Sequence, residues 1–142
     1  MSIRATRRVF AGLAIPFVVA GCGILGGASL PTHRDWGGSS PGALQAGRLT
    51  LAGNCISLVD DQTAEKWLVV WQPGTSRNGA EIVGPGGSEL AQIGDEVSIG
   101  GGEYDAGSVV SQLTAPITPE CQTDLYWLVG DVTVDSRPSV SP

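Results

Sequence analysis

Side chains that carry catalysis or bind metals are scarce in this chain. It has one histidine, His33, one lysine, Lys66, and three cysteines. Nucleophilic catalysis needs a nucleophile beside a base. His33 falls in a stretch read below as a tether, so the body has no partner for a Ser-His-Asp or Cys-His set. A Ser-Lys dyad would need Lys66, and no serine stands at a telling spacing from it. Zinc is disfavoured because its Cys and His ligands are missing. Calcium takes oxygen ligands, but no Asp-x-Asp-x-Asp-Gly loop occurs, which leaves only a weak site at Glu103 and Asp105 to consider. The glycine-rich stretches Gly84-Pro85-Gly86-Gly87 and Gly100-Gly101-Gly102 lack the helix start and lysine of a phosphate-cradling loop and read as hairpin or bulge positions. No cofactor is implied.

The N-terminus is more informative. Arg4, Arg7 and Arg8 precede an apolar core from Val9 to Ala20, broken by Gly12 and Pro16. That core is too short for a spanning helix, which needs roughly 20 residues. A basic start, a short apolar core and small residues at a cut site make a secretory signal. Val19-Ala20-Gly21-Cys22 resembles the lipobox of bacterial lipoproteins. The resemblance implies cleavage before Cys22 and a thioether-linked diacylglycerol on its sulfur. Two acyl chains anchor stably where one does not. The implied address is the cell membrane, on its extracytoplasmic face. Thr6-Arg7-Arg8-Val9-Phe10 also resembles the twin-arginine export motif, though Ala11 and Gly12 replace the usual Leu and Lys, so twin-arginine and ordinary Sec export both stay open.

Charge narrows the partners. All 14 acidic residues lie after Cys22, and three of the eight basic ones lie before it. The mature chain therefore carries five basic against 14 acidic residues, a net charge of −9. Such a surface repels phosphate backbones, which argues against nucleic acid. Attachment to the membrane would rely on the lipid. With Cys22 lipidated, Cys55 and Cys121 remain. An even pair in an oxidising compartment forms a disulfide, here closing a long loop.

The organisation expected is a signal peptide over 1–21, a lipidated Cys and Gly/Ser/Pro-rich tether over 22–46, a β domain over 47–135 and a disordered tail over 136–142. His33 and Trp36 fall in the tether, where Trp36 either docks onto the domain or reaches the lipid headgroups. Candidate strands are Arg48–Ala52, Cys55–Val59, Lys66–Trp71, Ala80–Val83, Glu96–Ile99 and Leu125–Val134, by their β-branched and aromatic content. Gly53-Asn54 makes a tight hairpin turn, and Pro73-Gly74 ends the third strand. A run from Val109 to Gln122 with two prolines reads as an irregular crossing. A short helix is placed near Thr63–Lys66 or Val109–Leu113. The fold class expected is all-β, a small single-domain β-barrel or sandwich, closed by pairing the last strand with one of the first. Gly47-x-Leu49, Asn54-Cys55-Ile56 and Ile93-Gly94-Asp95-x-Val97-x-x-Gly100-Gly101-Gly102 look like small secreted OB-like barrels.

Aromatic and acidic residues supply the candidate sites. On a strand Trp67, Val69 and Trp71 share one face and Leu68 and Val70 the other; Trp127 and Val129 similarly oppose Tyr126 and Leu128. Either both faces are core, or Trp67, Trp71 and Trp127 form a ligand platform for sugars, peptides or a partner. Paired carboxylates suited to glycoside chemistry are Asp60-Asp61, Asp95-Glu96 and Glu103-x-Asp105, with solvated turns as their plainer reading. The function expected is a membrane-anchored envelope lipoprotein whose non-enzymatic domain binds a partner protein, a glycan or another envelope ligand. The alternative is a small carboxylate- or calcium-dependent enzyme using Glu103, Asp105 or Asp95. A transport substrate-binding subunit is disfavoured by the short chain.

Overall fold

The computed structural model describes residues 28–37 and 40–139. The segment read as a signal peptide and Cys22 lie outside the described residues. In chain order the strands are β1 (Ala28–Ser29), β2 (Ala43–Ala52), β3 (Cys55–Val59), β4 (Lys66–Val70), β5 (Ser76–Asn78), β6 (Glu81–Val83), β7 (Glu89–Gln92), β8 (Glu96–Asp105) and β9 (Leu125–Ser136). A four-residue helix α1 (Ala106–Val109) and 3-10 turns at Val110–Gln112 and Pro119–Cys121 lie between β8 and β9.

Five strands form one sheet in the order β2-β3-β4-β9-β8, and β8 pairs back onto β2, so the ladder closes on itself. A second sheet has the order β1-β5-β6-β7. The expectation of a β-barrel or sandwich as the whole of an all-β domain is thereby corrected. This is a single small mixed α/β domain with two β-sheets, one of them containing a parallel pair. β4 runs parallel to β9 through Leu68↔Tyr126, Val69↔Trp127 and Val70↔Leu128. A parallel pair needs a long connection, and the chain between β4 and β9 supplies it by way of β5 to β8, α1 and the 3-10 turns. The closing pair also differs from expectation: it joins β8 to β2, while the last strand lies between β4 and β8.

Local chemistry accounts for the elements. Gly53 turns the β2–β3 hairpin at φ 60°, a left-handed conformation that glycine adopts without strain. No helix forms at Thr63–Lys66. Asp60 instead accepts from the Gln62 and Thr63 backbone N–H groups at 2.8 and 3.2 Å, an Asx turn that competes with helix. Asp105 caps α1 through Ser108 N–H at 2.7 Å, and this bond holds its carboxyl below the ordinary range. In β8 the register shifts between Gly100 and Gly101, opposite Asp131 and Val129 of β9. Gly101 sits at φ 150°, where a Cβ would collide with the Leu128 carbonyl oxygen, so the bulge requires glycine.

The stretch read as tether belongs to the fold in its described part. Trp71 N–H donates to the Pro31 carbonyl at 2.8 Å, and His33 N–H donates to the Trp71 carbonyl at 2.9 Å. On the other side Arg34 N–H reaches the Gln112 carbonyl at 2.7 Å and Thr114 N–H the Thr32 carbonyl at 3.0 Å. Residues 31–34 therefore run between the end of β4 and the crossing. Leu30 is buried, and β2 starts at Ala43, ahead of the expected boundary at 47. The tail is corrected likewise: β9 continues to Ser136, and Arg137 is held by Asp95 and Glu89.

Two apolar clusters share the closed sheet. Leu49, Leu58, Trp67, Val69, Trp71, Val97, Ile99, Trp127 and Val129 fill its interior, joined by Leu30 and by Ile82 and Ala91 of the second sheet. Leu68, Val70, Tyr126 and Leu128 point outward and are covered by Val109, Leu113, Ile117 and Cys121 of the crossing. Cys121 is disulfide-bonded to Cys55, with Cα atoms 5.4 Å apart and a sequence separation of 66. This bond clasps the crossing to the β2–β3 hairpin. The double variant C55S/C121S should lose about 2–5 kcal/mol of stability in urea unfolding. Reductant should then have no further effect on it, while lowering the wild-type midpoint.

Candidate functional site

Trp67, Trp71 and Trp127 are between 0 and 4% exposed. They line the sheet interior and present no platform, which corrects that candidate. The alternation inferred for β4 and β9 holds, but the crossing covers the outer face as well. Trp67 and Trp127 meet edge to face with ring centroids 6.1 Å apart, a favourable aromatic geometry. The Trp67 indole N–H donates to Glu103 Oε2 at 3.2 Å.

His33, the sole histidine, is 2% exposed. Its Nδ1 lies 2.7 Å from the Arg34 carbonyl oxygen and its Nε2 2.7 Å from the Val129 carbonyl oxygen. Gln72 Nε2 donates to the neighbouring Gly130 carbonyl. The bulged stretch of β9 thus has its carbonyls satisfied by side chains from the N-terminal run and the β4–β5 turn, as buried acceptors require. Both ring nitrogens face backbone carbonyl oxygens inside the fold, so neither is open to a substrate. Trp36 stacks on it at 3.9 Å and 12°, and its Nε1 donates to Gln112 Oε1 at 3.4 Å. Of the two roles open to Trp36, docking on the domain is the one found. Around this stack lies a polar surface groove of about 350 Å³, reached by Asp35, Ser40, Gln72 and Pro85.

The carboxylates regroup in space. Asp95 is 1% exposed and accepts from Arg137 Nε at 3.0 Å and from Gln92 N–H at 2.8 Å. Burial is the largest single influence and favours its neutral form. The Arg137 hydrogen bond and charge, together with the Gln92 N–H, outweigh it and hold the carboxyl below its ordinary range. Glu96, next in sequence, points elsewhere. The neighbouring Asp61 carboxyl is the chief influence raising its pKa, followed by partial burial, against the pull of Arg48. Arg48 meets Glu96 at 2.5 Å. The pair that forms is therefore Asp61 with Glu96, not either sequence-adjacent doublet, and it lines a shallow groove without aromatic walls. Glu103 serves Trp67 and Asp105 caps α1, so Asp95, Glu103 and Asp105 share no site. Among the described residues no group of three or more His, Cys, Asp or Glu is placed to hold a metal.

An apolar groove of about 450 Å³ runs along the crossing. Val109, Leu113, Ile117 and Tyr126 form its buried floor, and Ala106, Val110, Ala115 and Pro116 its exposed walls. Val110 is 66% exposed. Sequence reasoning missed this groove because α1 is too short to show helical periodicity. It also missed the Asp61–Glu96 and Asp95–Arg137 contacts, which no spacing announces. No family model, curated protein or solved structure matches the chain.

Two measurements check these placements. Trp67→Ala should cost about 3–5 kcal/mol, as large-to-small changes in cores do, and should lower the melting temperature whatever ligand is offered. Asp95 contributes stability above its ordinary value of 3.8, because its folded form binds the proton less readily than the unfolded chain does. That contribution drains away as pH falls below 3.8 toward the depressed folded value. Asp95→Asn should therefore be less stable at neutral pH and show a flatter loss of stability in acid, read by denaturation across pH.

Proposed function

We propose that this protein is a membrane-anchored envelope lipoprotein whose domain is a non-enzymatic binding module for a partner protein or envelope ligand. The observation that carries the reading is the Arg-rich start and Val19-Ala20-Gly21-Cys22 ahead of a body whose two other cysteines are joined as a disulfide. Persistent disulfides favour oxidising compartments, which supports export. The binding assignment draws on the engaged nitrogens of His33 and the structural work of Asp95, Glu103 and Asp105, which leave these groups without a shared reaction centre. The apolar groove on the crossing offers the partner surface.

We read the closed sheet as OB-like. Counted along the chain, its strands take the order 1-2-3-5-4 with the third and fifth parallel. OB-like folds bind oligonucleotides and oligosaccharides on the face of strands 2 and 3, between two loops. Here the corresponding strands, β3 and β4, carry the crossing on that face, clasped there by Cys55–Cys121. Only a groove of about 190 Å³ is left beside Lys66 and Glu120. With a net charge of −9 after Cys22, this disfavours nucleic acid as the ligand.

The anchor is tested by mass and fractionation. The mature wild-type protein should begin at Cys22, carry the added mass of a diacylglycerol and partition with membranes. Cys22→Ala should lose that mass and leave the membrane fraction. An unchanged mass and distribution would remove the basis of the reading.

A further inference from the structure

The N-terminal run limits how far the body can stand from a lipid on Cys22, an inference that rests on the lipoprotein reading. Ala28 pairs with Arg77 and Ser29 with Ser76, and Leu30 is 6% exposed. Six backbone steps separate residue 22 from residue 28. Fully extended, at about 3.3–3.6 Å each, they span at most about 20–22 Å. A tether of the length expected from sequence, reaching to residue 46, does not exist, because its described part is built into the domain.

We propose that the domain is held against the membrane surface in a fixed orientation, with the β5–β6 turn, Asn78–Ala80, toward the lipid headgroups. β1 is antiparallel to β5 with Ala28 opposite Arg77, so the chain enters over the end of β5 that carries this turn. Asn78, Gly79 and Ala80 are exposed. The charges there are Arg77 and Glu81, which offset one another, so a phosphate-bearing surface meets little repulsion. The rest of the surface differs. No Lys or Arg occurs from residue 82 to 136, a stretch holding nine acidic residues. Anionic headgroups would repel those parts.

The same run places the apolar groove away from the bilayer. From Ala28 the chain continues past Trp71 and meets the crossing at Thr32 and His33. Five extended residues cover about 16 Å. The groove walled by Val110 therefore stands on the outward side, accessible to a partner, while the turn faces lipid.

The test uses the full lipidated protein reconstituted in phosphatidylcholine vesicles containing lipids with a nitroxide on the headgroup. A fluorophore is attached at Asn78→Cys or at Val110→Cys. Flotation and intact mass are measured on the same samples. The label at 78 should be quenched at least about twofold more than the label at 110, given the reach of about 20 Å. Inserting about 20 Gly/Ser residues between Gly27 and Ala28 should abolish the difference while flotation persists, since such a linker is a flexible coil. Equal or reversed quenching in protein that floats and carries lipid mass would overturn the orientation and leave the anchor intact. Protein that neither floats nor carries lipid would overturn both.

Discussion

The short parallel pairing of β4 with β9 is the constraint on which the rest of the domain depends. Strands that run the same way cannot be joined by a tight turn. The chain from β4 to β9 therefore passes through the second sheet and β8 before it crosses the outside of the sheet, and that crossing covers Leu68, Val70, Tyr126 and Leu128. Burial on both faces is what the continuous apolar runs Trp67–Trp71 and Leu125–Val129 require. The disulfide then holds the crossing down at the start of β3.

The parallel pair also explains the fate of the N-terminal run. Its register extends only from Leu68 to Val70 against Tyr126 to Leu128. Beyond it the backbone of Trp71 needs other partners, and Pro31 and His33 provide them. His33 reaches across to Val129 at the bulge that begins where the pairing ends. An apparent loss of ladder hydrogen bonds is thus made good by a segment nearly 40 residues earlier in the chain. The consequence is mechanical: the segment expected to be a long leash is, in its described part, a structural part of the body.

Acidic side chains follow the same logic of local use. Asp60 closes a turn, Asp105 caps a helix and Asp95 ties the end of β9 to the loop before β8. Each is committed to backbone or to an arginine. Along the crossing an apolar groove stays open to solvent.

Much of this was legible from residue order alone. β-branched and aromatic content identified β3, β4 and β9, and the two faces of the tryptophan strands followed because side-chain direction in a strand is set by the backbone. Once Cys22 is read as lipidated, the two thiols that remain point to the Cys55–Cys121 bond, which the structure contains. Residue order did not reveal whether the second face of β4 was covered, which strand closed the sheet, or that His33 and Trp36 belonged inside. β5 and β7 are three and four residues long and carry no periodic signal. Those outcomes depend on contacts between segments far apart in the chain, where pairing is decided by competition among strands for partners and for apolar cover. Local propensity sets which residues can extend or turn; only the packed whole sets what lies next to what.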